Sequence, residues 1–91
     1  MAAQHRTFLI YGHVQGMFFR QSAQEQARQL GLSGYARNNP NDTVTIEAEG
    51  LIEALDALHD WCHHGPPAAR VTKVEVTAGP MQHYTAFEVR R

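Results

Sequence analysis

Gly12-His13-Val14-Gln15-Gly16-Met17-Phe18-Phe19-Arg20 divides two stretches of opposite rhythm. Ahead of it, Thr7 to Gly12 alternates, with Phe8 and Ile10 on one side and Thr7, Leu9 and Tyr11 on the other. That is the period-two pattern of a strand. Behind it, Phe19, Ala23, Ala27 and Leu30 recur at spacings of four, four and three. That stripe predicts a helix from about Arg20 to Leu30, stopped by Gly31, with Gln21, Gln24, Glu25 and Arg28 on its outer face. A loop that feeds a helix N-terminus directs unpaired N–H groups outward and adds the positive end of the helix dipole. Such a junction accepts an anion. Arg20 adds a permanently charged planar fork suited to phosphate oxygens. No Lys-Ser or Lys-Thr pair follows Gly16, so the loop is not a Walker P-loop.

Working outward, Ser33 to Asn38 reads as a second strand, with Ala36 and Asn38 toward the core. Asn39-Pro40-Asn41-Asp42 is turn chemistry. Thr43 to Glu49 alternates cleanly, with Val44, Ile46 and Ala48 inward and Thr43, Thr45, Glu47 and Glu49 toward water. Leu51 to His63 carries a broad apolar face of Leu51, Ala54, Leu55, Leu58, Trp61 and Cys62, and Gly65-Pro66-Pro67 closes it. Arg70 to Thr77, with Val74 and Val76 inward, and about Ala86 to Arg90 complete the strands. The order β-α-β-β-α-β plus a short last strand predicts an α+β fold. Right-handed crossovers place both helices on one face of an antiparallel sheet, the ferredoxin-like split β-α-β arrangement, with the other face wet.

The 91 residues suit one domain with a modest core, spanning 1–91. Charged residues are 19% and the formal net charge is −1, so no strong attraction to nucleic acid or to a membrane surface is expected. No apolar run approaches a spanning length, and the N-terminus lacks signal-peptide order. Cys62 is the single cysteine and has no internal disulfide partner. A cytoplasmic monomer is the expectation. A carboxamide at Asn38, on the core side, needs a hydrogen bond or a cleft to face. It either faces the loop ending at Arg20 or caps the Asn39-Pro40 turn.

Two segments, GHVQGMFFR (12–20) and GYARNNPNDTVTIEAEG (34–50), together resemble the signatures of the acylphosphatases. GPPAARVTKVEV (65–76) and the terminal FEVRR (87–91) resemble that family's C-terminal third. The resemblance implies hydrolysis of the carboxyl-phosphate bond of a small acyl phosphate, with no metal, cofactor or nucleic-acid partner. It implies that the backbone N–H groups of Gln15, Gly16, Met17, Phe18, Phe19 and Arg20 cradle the phosphate. Arg20 would grip its oxygens, Asn38 would orient the attacking water, and the C-terminal carboxylate of Arg91 is a candidate brace for Arg20. Asp42 stands where the family usually has glycine, and Met17 where it has a smaller aliphatic residue.

Other constellations carry less. His59 and His63 lie one helical turn apart, but a metal site needs a third ligand, and a solvated helix end accounts for them. Cys62, on the apolar stripe, reads as a small core residue. A ferredoxin-like nucleic-acid binder would want aromatics on the central strands, and Thr43 to Glu49 has none. A non-catalytic anion-binding module built on the same loop stays open.

Overall fold

A computed structural model describes residues 3–91. Its elements run β1 (Gln4–His13), α1 (Phe19–Gln29), β2 (Ser33–Asn38), β3 (Val44–Gly50), α2 (Ile52–Cys62), β4 (Arg70–Gly79) and β5 (Phe87–Arg90). The sheet order is β4-β1-β3-β2-β5. Each helix links two strands that are held apart by a third, so the crossovers are those of the split β-α-β fold expected from the sequence. The sheet is antiparallel except at its last pair, where β5 runs parallel to β2.

The core lies between the helices and one sheet face. Phe8 and Ile10 of β1 sit opposite Ile46 and Val44 of β3, and all four are fully buried. Phe19, Ala23 and Ala27 press α1 onto this surface, and Leu55, Leu58 and Cys62 do the same for α2. Burying each large apolar side chain contributes about 1.5–3 kcal/mol. Burial also pushes the Cys62 thiol pKa well above its ordinary value, as suits a core residue rather than a nucleophile. Leu51, expected on the buried face, is instead the exposed residue that precedes α2. Val76 shares the inward face with Phe8, its register neighbour, but lies on an outer strand and stays partly exposed.

α1 ends as its glycine predicts. Gly31 takes a left-handed φ of 73°, and the N–H of Leu32 donates to Ala27 at 2.8 Å while that of Gly31 donates to Arg28 at 3.1 Å. That is a Schellman pattern, sealed by the buried Leu32.

The second sheet face corrects an expectation. Alternation turns Thr43, Thr45 and Glu49 toward water, yet all three are buried. The reason is cover that strand alternation does not encode. The Asn39 carboxamide donates to the hydroxyls of Thr43 (3.0 Å) and Thr45 (2.7 Å). Glu49 accepts from the backbone N–H groups of Gln82 (2.5 Å) and Tyr84 (3.2 Å), and its Oε2 lies 2.7 Å from His5 Nδ1. Glu47 accepts from the hydroxyls of Tyr35 (2.5 Å) and Tyr84 (2.9 Å).

The β2–β3 turn shows how Asp42 is accommodated. The N–H of Asp42 donates to Asn39 at 3.2 Å, that of Asn39 donates to Thr43 at 2.8 Å, and Asp42 itself has a φ of 70°. This is the bonding pattern of a three-residue hairpin loop whose last residue is left-handed, a place that favours glycine. Asp42→Gly is therefore expected to stabilise the fold by up to ~1 kcal/mol. Urea unfolding would show it as a higher midpoint at unchanged slope.

Glu49 gives a pH dependence. Burial alone would raise its pKa, but the hydrogen bonds from Gln82, His5 and Tyr84 outweigh that and hold it below its ordinary value. A carboxyl with a lowered folded pKa stabilises the fold above its unfolded pKa of about 4.3, and that contribution is lost as pH falls through the folded value. Stability measured by urea unfolding should fall from about pH 5 toward pH 3, and Glu49→Gln should flatten the slope over that range.

Candidate active site

The loop between β1 and α1 is shaped by unusual backbone geometry at three places, of which only Phe18 is strained. At Gly12 the β1–β4 register shifts, and a Cβ there would collide with the carbonyl oxygen of Arg70. Gly16 has a φ of 82° and Phe18 a φ of 60°, both left-handed, with Met17 between them on the ordinary side. Alternation of left-handed and ordinary residues is how nests of backbone N–H groups are built. A left-handed non-glycine residue costs about 1 kcal/mol or more, and strain of this kind gathers at functional sites.

Phe18 is also the residue from which α1 starts. It provides no side-chain cap, and the first turn carries no acidic residue. The first helical bond runs from the N–H of Ser22 to the carbonyl of Phe18 at 2.9 Å. The N–H groups of Phe19, Arg20 and Gln21 therefore have no partner within the helix. Phe19 anchors this end, buried and packed 5.4 Å from the Trp61 ring centroid.

A cleft of about 210 Å³ opens at this junction, lined by Gly16, Phe18, Phe19, Arg20, Gln21 and Asn38. The start of α1 and the end of β2 thus meet, and Arg20 and Asn38 share one cavity. Among the described residues, Asn38 Oδ1 is the buried side-chain polar atom with no protein hydrogen-bond partner. An enclosed carboxamide oxygen with no protein partner has an acceptor to offer to a water or a ligand. The Asn38 side chain is therefore not spent on capping the turn, the role that Asn39 and Asn41 perform.

Gln15 and Met17 stand beside the cleft rather than on its lining. The Gln15 side-chain amide donates to the carbonyls of Asn39 and Thr43, each at 2.9 Å, tying the loop to the β2–β3 turn. Met17 packs against the core, where its flexible side chain fits in place of a smaller aliphatic one. Gln21, an outer-face residue by its place in the helical pattern, is exposed as expected and also lines the cleft. Its signal was its place in the first turn of α1, where every residue brings an unpaired N–H.

Arg20 is oriented from far along the chain. Its Nη1 donates to the main-chain carbonyl of Arg90 at 2.8 Å. The acceptor is thus a peptide oxygen of β5, one residue before the chain-end carboxylate considered from the sequence. Gln24 donates to the carbonyl of Phe87 at 3.0 Å and fastens the same strand to α1. The Arg90 guanidinium lies 4.0 Å over the Tyr35 ring and 3.5 Å from Glu88. Away from this site, the Nε2 atoms of His59 and His63 stand 3.2 Å apart on exposed α2 surface. Among the described residues no group of three or more His, Cys, Asp or Glu side chains gathers.

Comparison with known proteins identifies the family and the fold. The acylphosphatase family profile matches residues 6–89. An acylphosphatase of Alkalilimnicola ehrlichii is 51% identical over 86 residues, covering 94% of this chain and 97% of that protein. One of Thermococcus kodakarensis is 54% identical over 80 residues, covering 88% of each. The solved structure of an acylphosphatase from Coxiella burnetii matches with a TM-score of 0.94 at 32% identity, covering 97% of this chain and 93% of that one. With the family profile spanning nearly its whole length, the chain belongs to the acylphosphatase family.

Proposed function

We propose that this chain hydrolyses acyl phosphates to a carboxylate and inorganic phosphate, using its own amides and one guanidinium to hold the phosphoryl group. The observation that carries the reading is the meeting of Arg20 and the partnerless Asn38 carboxamide in one cleft at the open start of α1. The amides of the 15–20 loop and the first turn of α1 receive the phosphoryl oxygens. The Arg20 guanidinium, bonded to an uncharged carbonyl, keeps its charge for the same group. Asn38 accepts a hydrogen bond from a water and aims it at phosphorus.

In the reaction the water oxygen bonds to phosphorus and the phosphorus–oxygen bond to the acyl group breaks. The carboxylate leaves with the electron pair, and the water's second proton passes to a phosphoryl oxygen. A carboxylate is a good leaving group, so the transition state asks mainly for positioning and for charge stabilisation on the equatorial oxygens. Donors fixed by the fold supply this without reorganising. A neutral carboxamide suffices beside the water, because a loose transition state asks little of the nucleophile.

Both side chains come from one chain, so a monomer is sufficient for this chemistry. Among the described residues no helix is long and apolar enough to cross a membrane. We place the protein in the cytoplasm, where small acyl phosphates arise and a lone buried thiol stays reduced. The tyrosines of the second sheet face are engaged with glutamates, Tyr35 with Glu47 and Tyr11 with Glu75. That favours a small-molecule partner over stacked nucleobases.

Arg20→Ala and Arg20→Lys are expected to lose ~10³–10⁵ in the rate of benzoyl phosphate hydrolysis while the circular dichroism spectrum stays that of the wild type. Near-normal turnover by either variant would refute the assignment. Asn38→Ala is expected to lose most turnover while inorganic phosphate still inhibits at a similar concentration. The opposite pattern, weakened phosphate inhibition with turnover kept, would remove Asn38 from the water-positioning role.

A further inference from the structure

Phe18 is 76% exposed, the most exposed large apolar side chain among the described residues. A lone exposed phenylalanine ordinarily needs no explanation. This one lies on the cleft wall beside Arg20 and Asn38, and its backbone is held at φ 60° and ψ 27°. Two residues earlier the same left-handed demand falls on Gly16, which meets it without strain. Glycine, asparagine or aspartate would suit position 18 better on conformation alone and would expose no ring to water. An aromatic group stands where both backbone and solvent disfavour it.

The rest of the cleft wall does not account for a whole substrate. Gly16, Arg20, Gln21 and Asn38 offer amides, a guanidinium and carboxamides, which suit the phosphoryl group and the water. Phe19 is buried and packed against Trp61. Among the lining residues, Phe18 is the large apolar side chain left exposed, so the acyl substituent of a phosphoryl group held beside Gly16 and Arg20 has its ring as the available apolar surface. We infer that the Phe18 ring is the specificity surface for the acyl substituent, favouring aromatic and other bulky apolar acyl phosphates over acetyl phosphate. This inference rests on the hydrolase reading above.

The test compares kcat/KM for benzoyl phosphate and acetyl phosphate in the wild type, Phe18→Ala, Phe18→Gly and Phe18→Tyr. The benzoyl-to-acetyl ratio is expected to fall about tenfold in Phe18→Ala, the scale of a single aromatic contact. Phe18→Gly, which relaxes the left-handed backbone, should show the same fall and so separate the ring from the strain. Phe18→Tyr should retain the wild-type ratio. Most of the change should appear in KM for benzoyl phosphate, because the contact exists before and during the reaction. Turnover of both substrates with a ratio unmoved in the alanine and glycine variants overturns this inference alone. A wild-type chain that hydrolyses neither substrate overturns the hydrolase reading and this inference with it.

Discussion

The N–H groups at the start of α1 cannot be satisfied from within the helix, and no side chain caps them. An anion or solvent must answer them, and the surrounding structure keeps that end open and rigid. Gly12 lets β1 turn away against the Arg70 backbone. The Gln15 amide fixes the loop to the neighbouring turn. Phe19 sinks into the core beside Trp61, so the first turn cannot drift. Each of these contacts fastens the segment that carries the donors, and under the proposed reaction that is the preorganisation that electrostatic stabilisation needs.

The parts of the fold that were legible in the sequence are those governed by local period. Phe19, Ala23 and Ala27 at helical spacing and Val44, Ile46 and Ala48 at strand spacing all reach the core. The Gly31 stop follows from backbone freedom alone. The site was half legible. Arg20 and Asn38 were singled out by residue type and place, and the fold brings them into one cleft. The acceptor that orients Arg20 was not legible, because it lies 70 residues away and is a main-chain oxygen with no identity in the sequence.

The second sheet face shows the same limit. Alternation says which side a residue faces, not what covers that side. Glu49 faces outward as its pattern requires, but the irregular segment around Gln82 and Tyr84 folds over it and offers two N–H groups. A glutamate that composition marks as solvated becomes a buried acceptor holding three partners. Parallel pairing of β5 with β2 escaped prediction for a related reason, since a four-residue strand carries too little pattern to reveal its direction.

The bond between Arg20 and the Arg90 carbonyl ties the earliest functional element to nearly the last residue of the chain. Most of what lines the cleft is contiguous, from Gly16 to Gln21, and could assemble around the first half of the sheet. The guanidinium, however, acquires its aim only when a four-residue edge strand has docked. Edge strands of that length are the first to fray. The contact that aims Arg20 is thus held by one of the least anchored elements of the sheet.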